Sequence, residues 1–443
     1  MEGLKGLKIG MISLGCVKNR VDSEQILGAL TACGCILTQE PKEADILIVN
    51  TCGFIAPAKE ESIDTIFEMA QYKQTGKCRA LCVTGCLSQR YAEALMQDIP
   101  EIDCLLGVDE YPRLTEYLTK ALNGQRVSAN ARDERIWEFA RVLTTPPYSA
   151  YIKIGDGCDN KCAYCAIPLI RGGYRSRDRQ AIIHEIKEMT AKGVKEILLI
   201  SQDTTRYGID TGDSLASLMD EAASIPGVEW LRVLYTYPDE ITDELLAVMA
   251  KHDNICKYLD LPLQHASPSL LKSMNRRGTV ERTKEFLRSA RRMGFCLRTT
   301  FIVGFPGEKE ADFDALMDFT AEMQFDRMGA FAFSPEEDTK AADMPDQIDE
   351  DVKQERLEKL MALQGEISYR RNLLRVGKTE KVLVTGKTET GYTARSAWEA
   401  PDADGEIILS SDKELHEGSF VNVTVTAADT YDLYAEYGEG RSL

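Results

Sequence analysis

The sequence predicts an α/β multidomain protein: an open parallel-sheet domain, then a partial TIM-like (β/α)6 barrel, then a small all-β barrel of OB-like size. Three observations predict this. Two separate series of apolar, β-rich runs alternate with amphipathic helical stretches. After Gly377 the pattern changes to short strands joined by Gly- and Asp-containing turns. A chain of 443 residues also exceeds one ordinary hydrophobic core.

The first domain is expected over residues 5–123. Its strands are Lys8–Ser13, Asp45–Asn50 and Ala80–Thr84, continuous apolar runs suited to a parallel sheet covered on both faces. Pro57 suits a first helical turn, and Ile63, Ile66, Phe67 and Ala70 follow it as a helical stripe. From Gly124 to Ser149 the pattern weakens, and Pro146 and Pro147 predict a linker.

The second domain is expected over residues 144–374. Six strands are read at Tyr151–Ile154, Ile197–Ile200, Leu231–Leu234, Tyr258–Leu261, Thr299–Val303 and Met328–Phe333. Helices such as Ala181–Lys192 and Val280–Met293 separate them, and six βα repeats fall short of a closed barrel of eight. An acidic loop, Ser334–Glu350, leads to a long helix over Asp351–Leu374. Residues 377–443 then carry Lys381–Thr385, Gly391–Arg395, Glu406–Ser410 and Phe420–Val425 as short strands.

Composition bounds the function. Hydrophobic content of 44% and charged content of 28% describe a soluble globular chain. No apolar run reaches membrane-spanning length, and Met1 to Gly6 lack the apolar core of a signal peptide, so a cytoplasmic protein without membrane contact is expected. A net charge of −18 argues against a main role in gripping nucleic acid and permits a basic protein partner. Thirteen cysteines in a reducing compartment favour metal or redox chemistry where they cluster. Cys33, Cys35, Cys78, Cys82, Cys104, Cys256 and Cys296 are scattered and read as small buried apolar groups.

Cys158, Cys162 and Cys165 do cluster, with CxxxCxxC spacing just after a predicted strand. A cubane 4Fe-4S cluster ordinarily takes four thiolates; three leave one iron open to a small molecule. Structural zinc prefers four ligands, and no fourth Cys or His lies near, His184 being the nearest His in sequence. This spacing resembles the signature of the radical-SAM superfamily, over about residues 144–374. The resemblance implies that S-adenosylmethionine (SAM) chelates the open iron and is cleaved to methionine and a 5′-deoxyadenosyl radical. Tyr164 matches the position that contacts adenine, and Gly304 to Glu308 is similar to the glycine-containing SAM-binding segment. Gln202, Asp203, Tyr237, Asp239, Gln264 and His265 also follow predicted strands, where a barrel enzyme gathers its site. Of these, Gln202 joins Tyr164 and Gly304 as a candidate cofactor contact. No catalytic residue is assigned beyond the cluster cysteines.

Cys16, Cys52 and Cys86 are distant in number, yet each follows a predicted strand and neighbours a glycine: Gly15, Gly53 and Gly85. Loops at the carboxyl ends of an open parallel sheet converge on one crevice. Topology alone leaves two readings, a three-thiolate site or three buried strand-end cysteines. Leu14 to Glu24, Asn50 to Phe54 and Thr84 to Cys86 resemble the amino-terminal motifs of the methylthiotransferase family, and the carboxy-terminal barrel resembles its TRAM domain. The resemblance spans nearly the whole chain. It implies a second 4Fe-4S cluster on Cys16, Cys52 and Cys86 that supports or supplies the inserted sulfur.

Members of that family modify either a transfer-RNA adenosine or an aspartate of a ribosomal protein. Ser13 to Asn19, Ala58 to Asp64, Ser201 to Gly208 and Tyr235 to Pro238 resemble the ribosomal-protein branch. The RNA branch shows Gln-Met-Asn where this chain has Val17, Lys18 and Asn19; the ribosomal-protein branch usually has Pro in place of Val17. From Gly377 onward six basic residues face thirteen acidic ones, a net charge of −7. An RNA-gripping barrel should be basic, whereas an acidic one suits a basic ribosomal protein. The resemblance thus implies a transferase that places a methylthio group on the β-carbon of an aspartate of ribosomal protein S12. It implies two SAM roles, methyl donor and radical source, and a reductant such as flavodoxin or ferredoxin. Sequence-specific nucleic acid is not expected as a partner. The alternatives are a transfer-RNA adenosine methylthiotransferase and a non-enzymatic iron–sulfur or zinc scaffold.

Overall fold

The first sheet forms where the apolar runs are unbroken. In the computed structural model, which describes residues 2–133, 135–138 and 140–438, it has six strands. They are β1 (Lys8–Ser13), β2 (Ile36–Leu37), β3 (Ile46–Thr51), β4 (Ala80–Gly85), β5 (Cys104–Leu106) and β6 (Val127–Ala129), all parallel in the order β2-β1-β3-β4-β5-β6. β3 and β4 are buried along their full length. Alternate residues of β3 serve opposite layers: Ile46 and Ile48 pack into one apolar cluster, Leu47 and Val49 into another. That two-sided burial is why the runs read as continuous rather than alternating.

β2, β5 and β6 are absent from the sequence reading because two or three residues carry no measurable period. The helix Ala56–Ala70 buries Ile66 and Ala70 as the stripe predicts, but Phe67 is 46% exposed. Among the scattered cysteines, Cys33 is only partly buried and the other six are buried.

The middle body follows with β7 (Ser149–Lys153), a small antiparallel pair β8 (Gly155–Asp156) and β9 (Arg175–Ser176), then β10 (Glu196–Ile200), β11 (Trp230–Val233), β12 (Tyr258–Gln264), β13 (Cys296–Val303) and β14 (Arg327–Ala332). All six predicted barrel strands are present. They form two parallel three-stranded sheets, β11-β10-β7 and β12-β13-β14, so the partial barrel is split between β11 and β12. Residues with one parity, such as Ile197, Leu199, Leu259 and Leu261, meet the outer helices. Those with the other, such as Leu198, Ile200, Trp230 and Tyr258, face inward.

The last body is a closed barrel of β15 (Thr379–Lys387), β16 (Tyr392–Ser396), β17 (Ile407–Ser411), β18 (Phe420–Ala428) and β19 (Leu433–Tyr437), ordered β15-β16-β17-β19-β18. β19, missed in the sequence, closes it between β17 and β18. Residues 439–443, within the expected third domain, lie outside the described residues. The end of β16 and the segment after it reach the partial barrel where its strands begin. Arg395 pairs with Glu196 at 2.7 Å, Glu399 with Arg327 at 2.7 Å, and Asp404 accepts from the Tyr258 hydroxyl at 2.6 Å. The small barrel therefore stoppers the end of the partial barrel opposite the cysteine loops.

The expected linker is corrected. Residues 140–143 run across the first helix, Val17–Ala32, at Gly28, where any Cβ would collide with the Ala140 carbonyl. Arg141, 9% exposed, bridges Glu24 of that helix at 2.5 Å and also pairs with Glu185. Buried pairs add little net stability because desolvation offsets attraction, but they penalise wrong orientations. Here they fix the angle between the first two bodies. No helix among the described residues is long and apolar enough to cross a membrane.

Candidate functional site between the sheet and the partial barrel

The carboxyl ends of β1, β3 and β4 carry Cys16, Cys52 and Cys86. Glycine lets their loops close in. Gly15 has φ +84°, and a Cβ there would stand 2.9 Å from Cys52 Cβ. A Cβ at Gly53 would stand 2.8 Å from Leu87 Cα, and one at Gly85, with φ +99°, 2.5 Å from the Thr51 carbonyl oxygen. Each loop thus passes where only a bare backbone fits its neighbour. Asn19 ties the loops together: its Nδ2 donates to the Leu14 and Thr51 carbonyls at 3.1 and 2.8 Å.

The second triad sits on the loop after β8. Gly157, with φ +77°, allows the chain to turn against the Gly172 carbonyl. The Cys158 amide donates to that carbonyl at 3.1 Å, and the Ala163 amide donates to the Met274 carbonyl at 3.0 Å. Asn160 donates to Asp203 at 2.6 Å, and Asn275 donates to the Lys161 carbonyl at 2.9 Å. Arg276 directs one nitrogen toward Cys162 Sγ at 3.8 Å, with its guanidinium 3.9 Å from the Tyr237 ring centroid.

All six cysteines line one cavity of about 350 Å³ between the sheet and the partial barrel. Tyr164 and Gln202 line it too, as do Asp203, Tyr237 and Gln264. Gly304 does not: it lies past β13, its amide donating to Glu308 at 2.8 Å. Asp239 and His265 line a different, smaller cavity. Sequence reasoning missed Lys18, Asn19, Tyr235 and Arg276 as cavity residues. The available signals were the polar pair Lys18–Asn19, one residue past Cys16, and the Arg276–Arg277 pair before Gly278.

Arg171, Arg175 and Arg177 stand beside the second triad in sequence as candidate carboxylate partners, and the structure gives them other work. Arg171 is buried, pairs with Asp22 at 2.7 Å, and donates to Asn19 Oδ1 at 2.7 Å and to Cys86 Sγ at 3.6 Å. Asp22 in turn holds Lys153 at 2.5 Å. Arg175 pairs with Asp109, and Arg177 with Glu138 and Glu185.

Burial sets the protonation of the thiols. It pushes Cys158 up to about 11 and Cys86 and Cys165 up to about 12, and it raises Cys52 as well. These thiols stay protonated near neutral pH until a metal replaces the proton. Burial also lowers Lys18 to about 8, against the raising effect of Cys16 and Asp260.

The donor set fits iron–sulfur clusters: six cysteines, none in a disulfide, share one volume walled by Phe54, Ile167 and Ile170. Among the described residues no three Cys, His, Asp or Glu side chains are gathered tightly enough for a single metal ion. The free thiols face a space rather than a point.

The chain matches the radical SAM superfamily over residues 152–320, the uncharacterized protein family UPF0004 over 8–107 and the TRAM domain over 376–437. It is 50% identical over 440 residues to the ribosomal protein uS12 methylthiotransferase RimO of Pelotomaculum thermopropionicum, covering 97% of this chain and 99% of that one. It is 47% identical to the proteins of the same name from Desulforamulus reducens and Heliobacterium modesticaldum, covering 97% and 98% of this chain and 99% and 96% of theirs. Among solved structures it resembles the radical SAM methyltransferase TsrM of Kitasatospora setae, with a TM-score of 0.56 at 16% identity over 74% of this chain and 75% of that one. It also resembles the cobalamin-dependent radical SAM enzyme OxsB, with a TM-score of 0.52 at 12% identity over 82% of this chain and 56% of that one. Both likenesses concern the fold.

Proposed function

Because the chain belongs to the RimO family of ribosomal protein uS12 methylthiotransferases, we propose that it replaces a hydrogen on the β-carbon of one uS12 aspartate with a methylthio group. It is a radical-SAM transferase, so SAM and an iron–sulfur cluster are its cofactors. In this reading Cys158, Cys162 and Cys165 hold the cluster that meets SAM. Cys16, Cys52 and Cys86 hold a second 4Fe-4S cluster. The observation that carries it is the shared cavity, which gives both triads access to one substrate atom.

The three domains are read as residues 5–123, 144–374 and 377–443. A reduced flavodoxin or ferredoxin supplies electrons, and the protein works in the cytoplasm.

When bound, the cofactors supply a radical able to take hydrogen from an unactivated carbon, a bond that side-chain bases cannot open. The chain's own residues prepare the place. Asn160 and Asn275 brace the cluster loop, and Arg276 brings positive charge to Cys162. Arg171, held by Asp22 and Asn19, does the same for Cys86. Donors aimed at a cysteine sulfur tune the group it holds. Tyr164 and Gln202 stand ready for SAM on the barrel side, with the Gln202 side-chain amide donating to Asp156 at 2.9 Å. Phe54, Ile167 and Ile170 keep water from the radical.

The test is reconstitution. Purified protein loaded with iron and sulfide, given SAM, a reductant and uS12, should yield 5′-deoxyadenosine and methylthio-uS12. 5′-Deoxyadenosine without modified uS12 would refute the substrate assignment. Methylthio-adenosine on transfer RNA would move it to the RNA branch.

A further inference from the structure

Three cations line the cysteine cavity, and two of them are engaged. Arg171 is held by Asp22, and Arg276 donates to the Pro262 carbonyl at 2.6 Å. Lys18 is the third. It sits two residues after Cys16 on the first helix and is 7% exposed. Its Nζ stands 2.8 Å from the Tyr235 ring centroid, and among the described residues it has neither an ion pair nor a hydrogen bond. A buried ammonium that rests on an aromatic face and that no carboxylate touches is costly, and an arriving anion relieves that cost.

The residue that carries the ring has an unusual backbone. Tyr235, which carries the ring, has φ +62°, a region that non-glycine residues seldom enter. Its amide is held by Asp260 at 2.9 Å. Tyr235 and Cys16 also line a second cavity of about 280 Å³, walled by Arg20, Tyr151 and the segment from Ala400 to Ala403 of the small barrel. Tyr235, against whose ring Lys18 rests, thus lines both a cavity at the junction of all three bodies and the cavity of the six cysteines.

Resting on the uS12 reading above, we propose that Lys18 selects the substrate: its ammonium binds the side-chain carboxylate of the target aspartate and holds the adjacent β-carbon between the two cysteine triads. The β-carbon is one bond from the carboxylate carbon, so fixing the carboxylate fixes the reacting atom. A carboxylate entering this enclosed space loses its water and requires a cation in exchange. Arg171 and Arg276 are spent on structure, which leaves Lys18.

The experiment uses the full chain with both clusters loaded. Wild type, Lys18→Met and Lys18→Arg are compared for iron content, for 5′-deoxyadenosine formed from SAM and dithionite without substrate, and for KM with uS12. A second substrate is uS12 carrying Asn at the target aspartate, tested for binding. Lys18→Met should keep its iron and its substrate-free SAM cleavage while KM for uS12 rises about 10- to 100-fold, the worth of a charge-assisted hydrogen bond. Asn at the target should weaken binding to wild type by a similar factor and to Lys18→Met by little, and Lys18→Arg should recover part of the loss. An unchanged KM in Lys18→Met overturns the proposal. So does loss of substrate-free SAM cleavage with iron intact, which would assign Lys18 to the SAM carboxylate. Should Lys18→Met fail to load clusters, wild type binding the Asn-bearing uS12 as tightly as uS12 overturns it alone. If fully loaded wild type cleaves SAM and never modifies uS12, the functional reading fails instead.

Discussion

Gly15 and Cys52 touch across two loops: a Cβ on Gly15 would lie 2.9 Å from Cys52 Cβ and 3.1 Å from its sulfur. The first triad is therefore assembled through backbone that has no room for a side chain. Gly15→Ala also forces alanine to φ +84°, at a cost of roughly 1–2 kcal/mol before the clash is counted. The variant should lose the iron held by the first domain, keep SAM cleavage and stop forming methylthio product. Iron analysis beside a 5′-deoxyadenosine assay checks this; full iron content with normal product would contradict it.

The two triads should separate by readout. Cys162→Ala should abolish 5′-deoxyadenosine formation. Cys86→Ala should leave it and abolish only methylthio-uS12. Paired measurements of nucleoside and modified protein distinguish the two; an equal effect on both would mean the triads do not divide the work.

Arg141 joins the sheet body to the barrel through Glu24 and Glu185. Arg141→Ala leaves the buried Glu24 carboxylate without its cation, while Glu185 keeps Arg177, and should cost about 3–5 kcal/mol. Denaturant unfolding of the cluster-free protein measures this, and a change within experimental error would show that the crossing segment is not a clamp.

Glu399 gives the docking of the small barrel a pH dependence. Burial alone would raise its pKa, but Arg375 and Arg327, with hydrogen bonds from Arg375 and Ser396, hold it well below the ordinary 4.5. A depressed folded-state pKa means that the stabilisation is complete above the unfolded value and is lost as pH falls below it. Cluster-free protein should lose stability as pH drops below 4.5, and Glu399→Gln, weaker at neutral pH, should lose less over that range. Parallel stability-against-pH slopes for the two proteins would contradict this.

How much could be read beforehand follows from period and spacing. The long strands were readable because two-sided burial makes unbroken apolar runs, and the CxxxCxxC loop because its ligands are local. The convergence of Cys16, Cys52 and Cys86 needed topology, and the flanking glycines were its only local trace. β2, β5 and β6 are too short to show a period. The segment 140–143 looked like a linker because its anchor is one arginine whose partners lie 117 and 44 residues away. Lys18 is legible only as part of the Val17–Asn19 motif; its burial against Tyr235 of another body leaves no local trace.

The most direct measurement is the intact mass of uS12 from cells with and without this gene. The account predicts a species heavier by about 46 Da, SCH₃ in place of H, only when the gene is present, with the added mass mapping to one aspartate. Identical uS12 masses in the two strains, in cells where the protein is expressed and carries its clusters, would contradict it.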